Sequence, residues 1–264
     1  METPIDRVGD VLRAWRLRRR LSQLDLASEA AISTRHLSFV ESGRAMPSRD
    51  MLLRLAGPLR LSLRERNRLL LAGGYAPHYP ERPLDAPDMA AARIAVETVL
   101  AAHAPFPALA IDRVWNLIAA NAALDPFLAH VAPRLLEPPI NVLRLSLAPD
   151  GLAPAILNLA EWRRHLLTRL RHDADQSGDG VLHQLHTELA LTPAPVSTAP
   201  PSQPNGIAVP LVLRHPRSGT RLSLQPLSTT TVFGTATDVT LAELTLESFY
   251  PADQATRAAF NAPA

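Results

Sequence analysis

The chain of 264 residues contains no cysteine. Disulfide scaffolds, thiolate zinc sites, iron–sulfur clusters and cysteine nucleophiles are thereby excluded. Lysine is absent too, since all 27 basic residues are arginine. No run approaches the roughly 18 uncharged apolar residues that a membrane span needs. The opening METPIDRVGD has no apolar stretch of the kind a secretory signal carries. A cytoplasmic protein with no membrane partner is the expectation. There is no glycine-rich phosphate loop and no G-x-S-x-G elbow, so no nucleotide-handling or acyl-transfer constellation is present. An enzyme is not expected, and no cofactor is required. Aromatic residues are scarce at 5%, yet hydrophobic residues reach 47% against 20% charged. That balance supplies a core and excludes wholesale disorder.

What is present is unevenly distributed. Residues 1–73 carry 14 Arg and 8 acidic residues, a balance of +6, whereas residues 74–264 carry 13 and 17, a balance of −4. A bias of Arg over Lys explains the missing lysine but not this asymmetry. A basic first quarter beside an acidic remainder fits a nucleic-acid module joined to a different kind of domain. Proline follows the same division, with three of 25 before residue 74. Gly73-Gly74 followed by Pro77, Pro80, Pro83 and Pro87 marks a connector, so the expected organisation is 1–73, a connector over 74–87, and a second domain over 88–264. Six prolines between Thr192 and Pro210 predict a mobile loop near 192–210.

The first segment reads as five short helices. Val8, Val11, Leu12 and Trp15 lie at helical spacing. Ser22, Ser33, Ser48 and Ser62 each stand where a helix N-cap belongs, and Gly43 and Gly73 where helices stop. After the connector, residues 88–103 predict a helix. Phe106–Ile111 and Trp115–Ala119 predict strands, followed by a helical middle clearest over Pro154–Arg171. Val209–Arg214, Arg221–Leu227 and Val239–Phe249 predict three more strands, the first two joined by a hairpin at His215–Gly219. The fold class is α+β: an all-α five-helix bundle, then an α/β domain with about five antiparallel strands.

The span Gln23–Glu41 has the requirements of a helix-turn-helix. Two helices crossing steeply need a small residue at their contact, here Ala27, and apolar inner faces, here Leu26, Ala30, Ile32, Leu37 and Val40. Thr34, Arg35, Ser38 and Phe39 are then left to face outward. The stretch SQLDLASEAAISTRHLSFVESGRAMPSRDMLLRLA resembles the lambda-repressor/Cro (XRE) type of helix-turn-helix regulator. The shared features are Gln23, Ala27, Glu41-Ser42-Gly43-Arg44 and Pro47-Ser48. One departure is Ala31, where the family often has glycine; a left-handed non-glycine residue costs about 1 kcal/mol, which a turn tolerates. The second helix of the motif would enter the major groove of double-stranded operator DNA, Thr34, Arg35, Ser38 and Phe39 facing base edges. Arg35 has the fork that matches guanine O6 and N7. Gln23, Ser42, Arg44 and Arg49 are candidates for the phosphate backbone.

The remaining chain is similar to the MmyB-like regulators, on STRHLSFVESGR, PALAIDRVWNLIAANAA, GLAPAILNLAEWRRHLLTRLR and TTVFGTATDVTLAELTLESFYPAD. That resemblance implies a PAS-like C-terminal domain able to hold a fatty-acid-like molecule, and control of transcription. Five strands around a helical insertion fit such a sheet without the name. Trp115, Leu117, Phe127, Leu166, Phe233 and Phe249 are the expected apolar lining of its pocket, Asn121 a polar anchor, and Arg163 or Arg164 the partner of a charged head. A homodimer is expected. The alternative is a DNA-binding protein whose second domain only dimerises and holds no ligand. Asp173-Ala-Asp175-Gln-Ser177-Gly178 looks like half a calcium loop, but its twelfth position is Gln184 instead of a bidentate Glu, so a polar turn is the reading and no metal is assigned. His183 and His186 share a helical face without an evident third ligand and read as helix surface.

Overall fold

The computed structural model describes residues 7–192, 209–216, 218–230 and 237–261. It divides into two compact units, Met1–Pro83 with Val232–Ala242, and Leu84–Thr231 with Glu243–Ala264.

The first unit is built on five helices: α1 (Val8–Arg18), α2 (Gln23–Glu29), α3 (Thr34–Glu41), α4 (Arg49–Ala56) and α5 (Leu63–Ala72). Each of the four anticipated serines caps its helix, its hydroxyl accepting from the backbone N–H three residues on: Ser22 from Asp25, Ser33 from His36, Ser48 from Met51 and Ser62 from Glu65. Asp25 and Glu65 return the bond to the cap backbone, closing two capping boxes. Such a cap contributes about 1 kcal/mol, a large share for helices of seven to eleven residues that are marginal alone. The rest comes from burial. Leu12, Leu26, Leu37, Leu52, Leu55, Leu59 and Leu70 are fully enclosed, at roughly 1.5–3 kcal/mol each. Gly9 lets α1 meet the end of α3, because a Cβ there would stand 2.4 Å from the carbonyl oxygen of Val40.

The segment after Gly74 is irregular, as the prolines predict, but its first part is fastened to the bundle. Asn67 donates to the carbonyl of Tyr79 at 2.7 Å and accepts from the backbone N–H of His78 and Tyr79. The same unit includes α11 (Val239–Ala242), where Thr240 N–H donates to Asp238 and Asp238 accepts from Arg82 at 2.8 Å. The expected strand over Val239–Phe249 is therefore corrected: Asp238 caps a helical turn first, and extended chain begins only at Thr245.

The second unit contains α6 (Ala90–Ala102), β1 (Ala108–Ile111), β2 (Leu117–Ala120), α7 (Asp125–Leu128), α8 (Val142–Leu147), α9 (Leu159–Ser177), α10 (Gly180–Leu191), β3 (Leu211–Arg214), β4 (Arg221–Thr230), β5 (Thr245–Pro251) and α12 (Gln254–Asn261). The strands form one antiparallel sheet in the order β2-β1-β5-β4-β3. The hairpin at His215–Gly219 is present, Gly219 taking the left-handed conformation that L side chains disfavour. The middle helix starts later than expected. Pro154 lies in a short 3-10 turn, Ile156 is extended and bridges Leu213, and α9 runs on to a left-handed Gly178 cap. Asp173, Asp175 and Ser177 lie inside α9, not in a loop.

Trp162, Leu166, Leu170 and Ala174 repeat every four residues along α9, and with Leu182, Leu185 and Leu189 of α10 they pack on one face of the sheet. That face is set by alternation: Leu109 and Ile111, Leu211 and Leu213, Leu222 and Leu224 all point the same way. The proline-rich stretch over 192–210 falls almost wholly outside the described residues.

Candidate functional site

Two sites emerge. In the helical unit, Ala31 joins α2 to α3 in a left-handed conformation, φ 53°, at the position where helix-turn-helix regulators of this type often have glycine. Ala27, Leu26, Ala30, Leu37 and Val40 are buried and Ile32 is partly so. Along α3, Thr34, His36, Ser38 and Phe39 are partly buried. Arg35 is exposed, and its guanidinium carbon stands 5.4 Å from the Phe39 ring centre. The ring lies one turn on from Arg35, within reach of a cation–π contact. Ser42 and Arg44 are exposed just past the helix, where Gly43 takes φ 74°. Arg49, on the next helix, meets His78 Nδ1 at 2.7 Å. Gln23 is engaged internally: its amide donates to Glu41 Oε2 at 2.8 Å. Glu41 is also held by Arg16 through two bonds. Burial alone would raise the Glu41 pKa, but the Arg16 and Gln23 hydrogen bonds and the charges of Arg16 and Arg13 outweigh it and hold the carboxyl below its ordinary value.

The second site is a cavity of about 400 Å³ between the inner face of the sheet and helices α7 to α9. Its walls are Leu109, Leu117, Phe127, Leu143, Leu145, Leu152, Trp162, Leu166, Leu211, Leu213, Leu224 and Phe249, with Trp115 at one side. A volume in the low hundreds of cubic ångströms with apolar walls is the ordinary form of a small-molecule site. Arg169, Ser228 and Glu247 form a polar cluster at one end, with His165 one turn before Arg169 on α9, while Ser146 elsewhere in the lining accepts from the Trp162 indole. Arg169 donates to Ser228 Oγ at 2.7 Å, pairs with Glu247 at 2.7 Å, and lies 4.5 Å over the Trp115 ring. Trp115 adopts φ 68°, costly for a non-glycine residue. The Asp112 side chain imposes it by accepting from the backbone N–H of Val114 and Asn116, and the indole thereby becomes the platform under Arg169. Burial, and then the Arg169 charge, hold the His165 pKa below its ordinary value. Burial pushes Asp173, one turn beyond Arg169, the other way.

A family model described as MmyB-like transcription regulator ligand binding domain matches residues 92–262, well over half of the chain. The chain belongs to the MmyB-like transcription regulators. A second model, described as Helix-turn-helix, matches residues 12–66 of this MmyB-like regulator. No curated protein matches it. The two matches describe a DNA-binding helical region followed by a ligand-binding α+β domain. No helix among the described residues is long and apolar enough to cross a membrane.

Of the residues expected to line a pocket, Trp115, Leu117, Phe127, Leu166 and Phe249 meet at the cavity. Asn121 does not. It is buried as a clamp, accepting from Ala108 N–H and donating to the carbonyls of Leu100 and Phe106, which ties the end of β2 to the approach to β1. Arg163 is also elsewhere, donating to the carbonyls of Leu189, Ala190 and Thr192 at the end of α10. Those orphaned helix carbonyls attract a cation, which explains an Arg there without any ligand. Phe233 lies outside the described residues. The polar end of the cavity was missed. Its signal was present: if Phe249 points inward along β5, Glu247 two residues earlier does too, and a carboxylate on an apolar strand face requires a cation.

Proposed function

We propose that this protein is a homodimeric, cytoplasmic transcription factor whose DNA affinity is set by a long-chain, fatty-acid-like effector in its C-terminal domain. The observation that carries the reading is the apolar cavity of about 400 Å³, in a chain that also holds a helix-turn-helix. An antiparallel sheet with its first and last strands side by side, and helices over one face, supports a PAS-like reading of that domain. Thr34, Arg35, Ser38 and Phe39 read base edges in the major groove; Ser42, Arg44 and Arg49 meet phosphates. Gln23 acts mainly through Glu41, positioning α2 against α3, and offers its backbone N–H to a phosphate.

Burying about ten methylenes at about 0.8 kcal/mol each gives a gross gain near 8 kcal/mol, so a lipid-like guest should survive purification. Organic extraction of purified protein followed by mass spectrometry should yield a long-chain amphiphile in near-stoichiometric amount. A protein that repeatedly extracts empty, and whose melting temperature ignores added amphiphiles, would leave the domain a dimerisation module.

A further inference from the structure

The head group that such a guest carries is argued from the polar end of the cavity, and the argument rests on the cavity being a ligand site. Glu247 of β5 lies in register between Leu109 of β1 and Ser228 of β4, on the inward face of the sheet. Its side chain is 7% exposed. Oε2 accepts from the Ser228 hydroxyl at 2.6 Å. Oε1 stands 2.7 Å from Arg169 Nη2 as an ion pair. No group among the described residues donates a hydrogen bond to this buried oxygen. A buried carboxylate oxygen without a donor costs free energy until something donates to it.

Arg169 already faces acidic groups at this end: Glu247 pairs with it, and Asp173 lies one turn beyond it on α9. Arg169 is oriented by Trp115 beneath it and by Ser228 and Glu247 beside it, so its positive charge has its counter-ion. An ionised carboxylate entering here would meet Arg169 and Glu247 together and leave one uncompensated negative charge in an apolar cavity. A neutral head adds no charge. A head with a hydroxyl or amide N–H also supplies the donor that Oε1 lacks, and the remaining guanidinium N–H groups suit its oxygen.

We infer that Glu247 and Arg169 select for an uncharged amphiphile whose head donates a hydrogen bond, a long-chain alcohol or amide, over the corresponding free fatty acid.

The test is calorimetric titration of the full-length protein, stripped of lipid, with 1-dodecanol, dodecanamide, methyl dodecanoate and sodium dodecanoate below their aggregation limits at neutral pH. The alcohol and amide should bind about tenfold or more tightly than the carboxylate, with the donorless ester between them. Glu247→Gln removes the negative charge and should bring the carboxylate to parity with the alcohol or past it. The wild-type series stands alone if the variant does not fold. Tightest binding of the carboxylate by the wild-type protein would overturn the inference while leaving the cavity as a lipid site. Binding of none of the four would remove the site itself, and the inference with it.

Discussion

The guanidinium of Arg16 meets the carboxylate of Glu41 through two bonds, Nε to Oε1 at 2.7 Å and Nη2 to Oε2 at 2.8 Å. The side chains are 9% and 4% exposed. Arg16 also donates to the carbonyl of Leu21, just before α2, and Glu41 accepts from Gln23 at its start. One ion pair thus fixes the end of α1, the start of α2 and the end of α3. The direction in which α3 presents Arg35 depends on a pair that touches no groove.

Removing one partner leaves the other charge buried and unpaired, which costs about 3–5 kcal/mol. Glu41→Ala should lower the unfolding free energy of residues 1–83 by that order in urea titration. DNA binding should fall in parallel with the folded fraction. A melting curve unchanged in this variant would mean the pair is solvated.

The same pair makes the bundle acid-sensitive. The folded-state pKa of Glu41 is held below its ordinary value near 4.3, so ionised Glu41 stabilises the fold above that pH. The contribution is lost as pH falls through the folded value. Far-ultraviolet circular dichroism of residues 1–83 should show stability falling below about pH 4. In Glu41→Gln, less stable at neutral pH, that part of the slope should vanish.

Base reading and phosphate anchoring separate by mutation. Arg35→Ala should relax preference at one base pair, at about 1–3 kcal/mol. Arg44→Ala should weaken all sequences alike and reduce the salt slope by about one. Binding-site selection with both variants checks this; an unchanged preference in Arg35→Ala would show that the register on α3 is wrong.

Residues 1–83 alone should bind operator DNA more weakly than the full chain, because a monomer touches one half-site. Two recognition helices of a dimer would lie about 34 Å apart on a pseudo-palindrome. Equal affinities of fragment and full-length protein would remove the dimer.

Filling the cavity should uncouple guest from fold. Leu166→Trp adds volume where Leu166 lines the cavity, at a cost of about 1–3 kcal/mol. The variant should melt near the wild type yet extract without lipid. Retained lipid at wild-type stoichiometry would place the guest elsewhere.

The sequence by itself determined the local structure of the bundle. Serine caps, a small residue at the helix crossing and a 3.6-residue apolar period act over a few neighbouring residues, so they can be read one at a time. Ala31 shows the same economy: a single left-handed residue is required at the turn, and its modest cost is legible without coordinates. The alternating apolar residues likewise located the five strands to within a few positions, the exception being Val239–Ala242, where the Asp238 cap starts a helical turn instead.

Only the tertiary structure decided which side chains converge. Asn121 and Arg163 looked like anchors from their positions, but unpaired carbonyls brought near by the fold claim both. Arg169, Ser228 and Glu247 are separated by 19 to 78 residues and meet because antiparallel register sets Ser228 opposite Glu247 and α9 crosses above them. Charge compensation in a cavity is a property of distances across the sheet, and such distances are not written into any local run of residues.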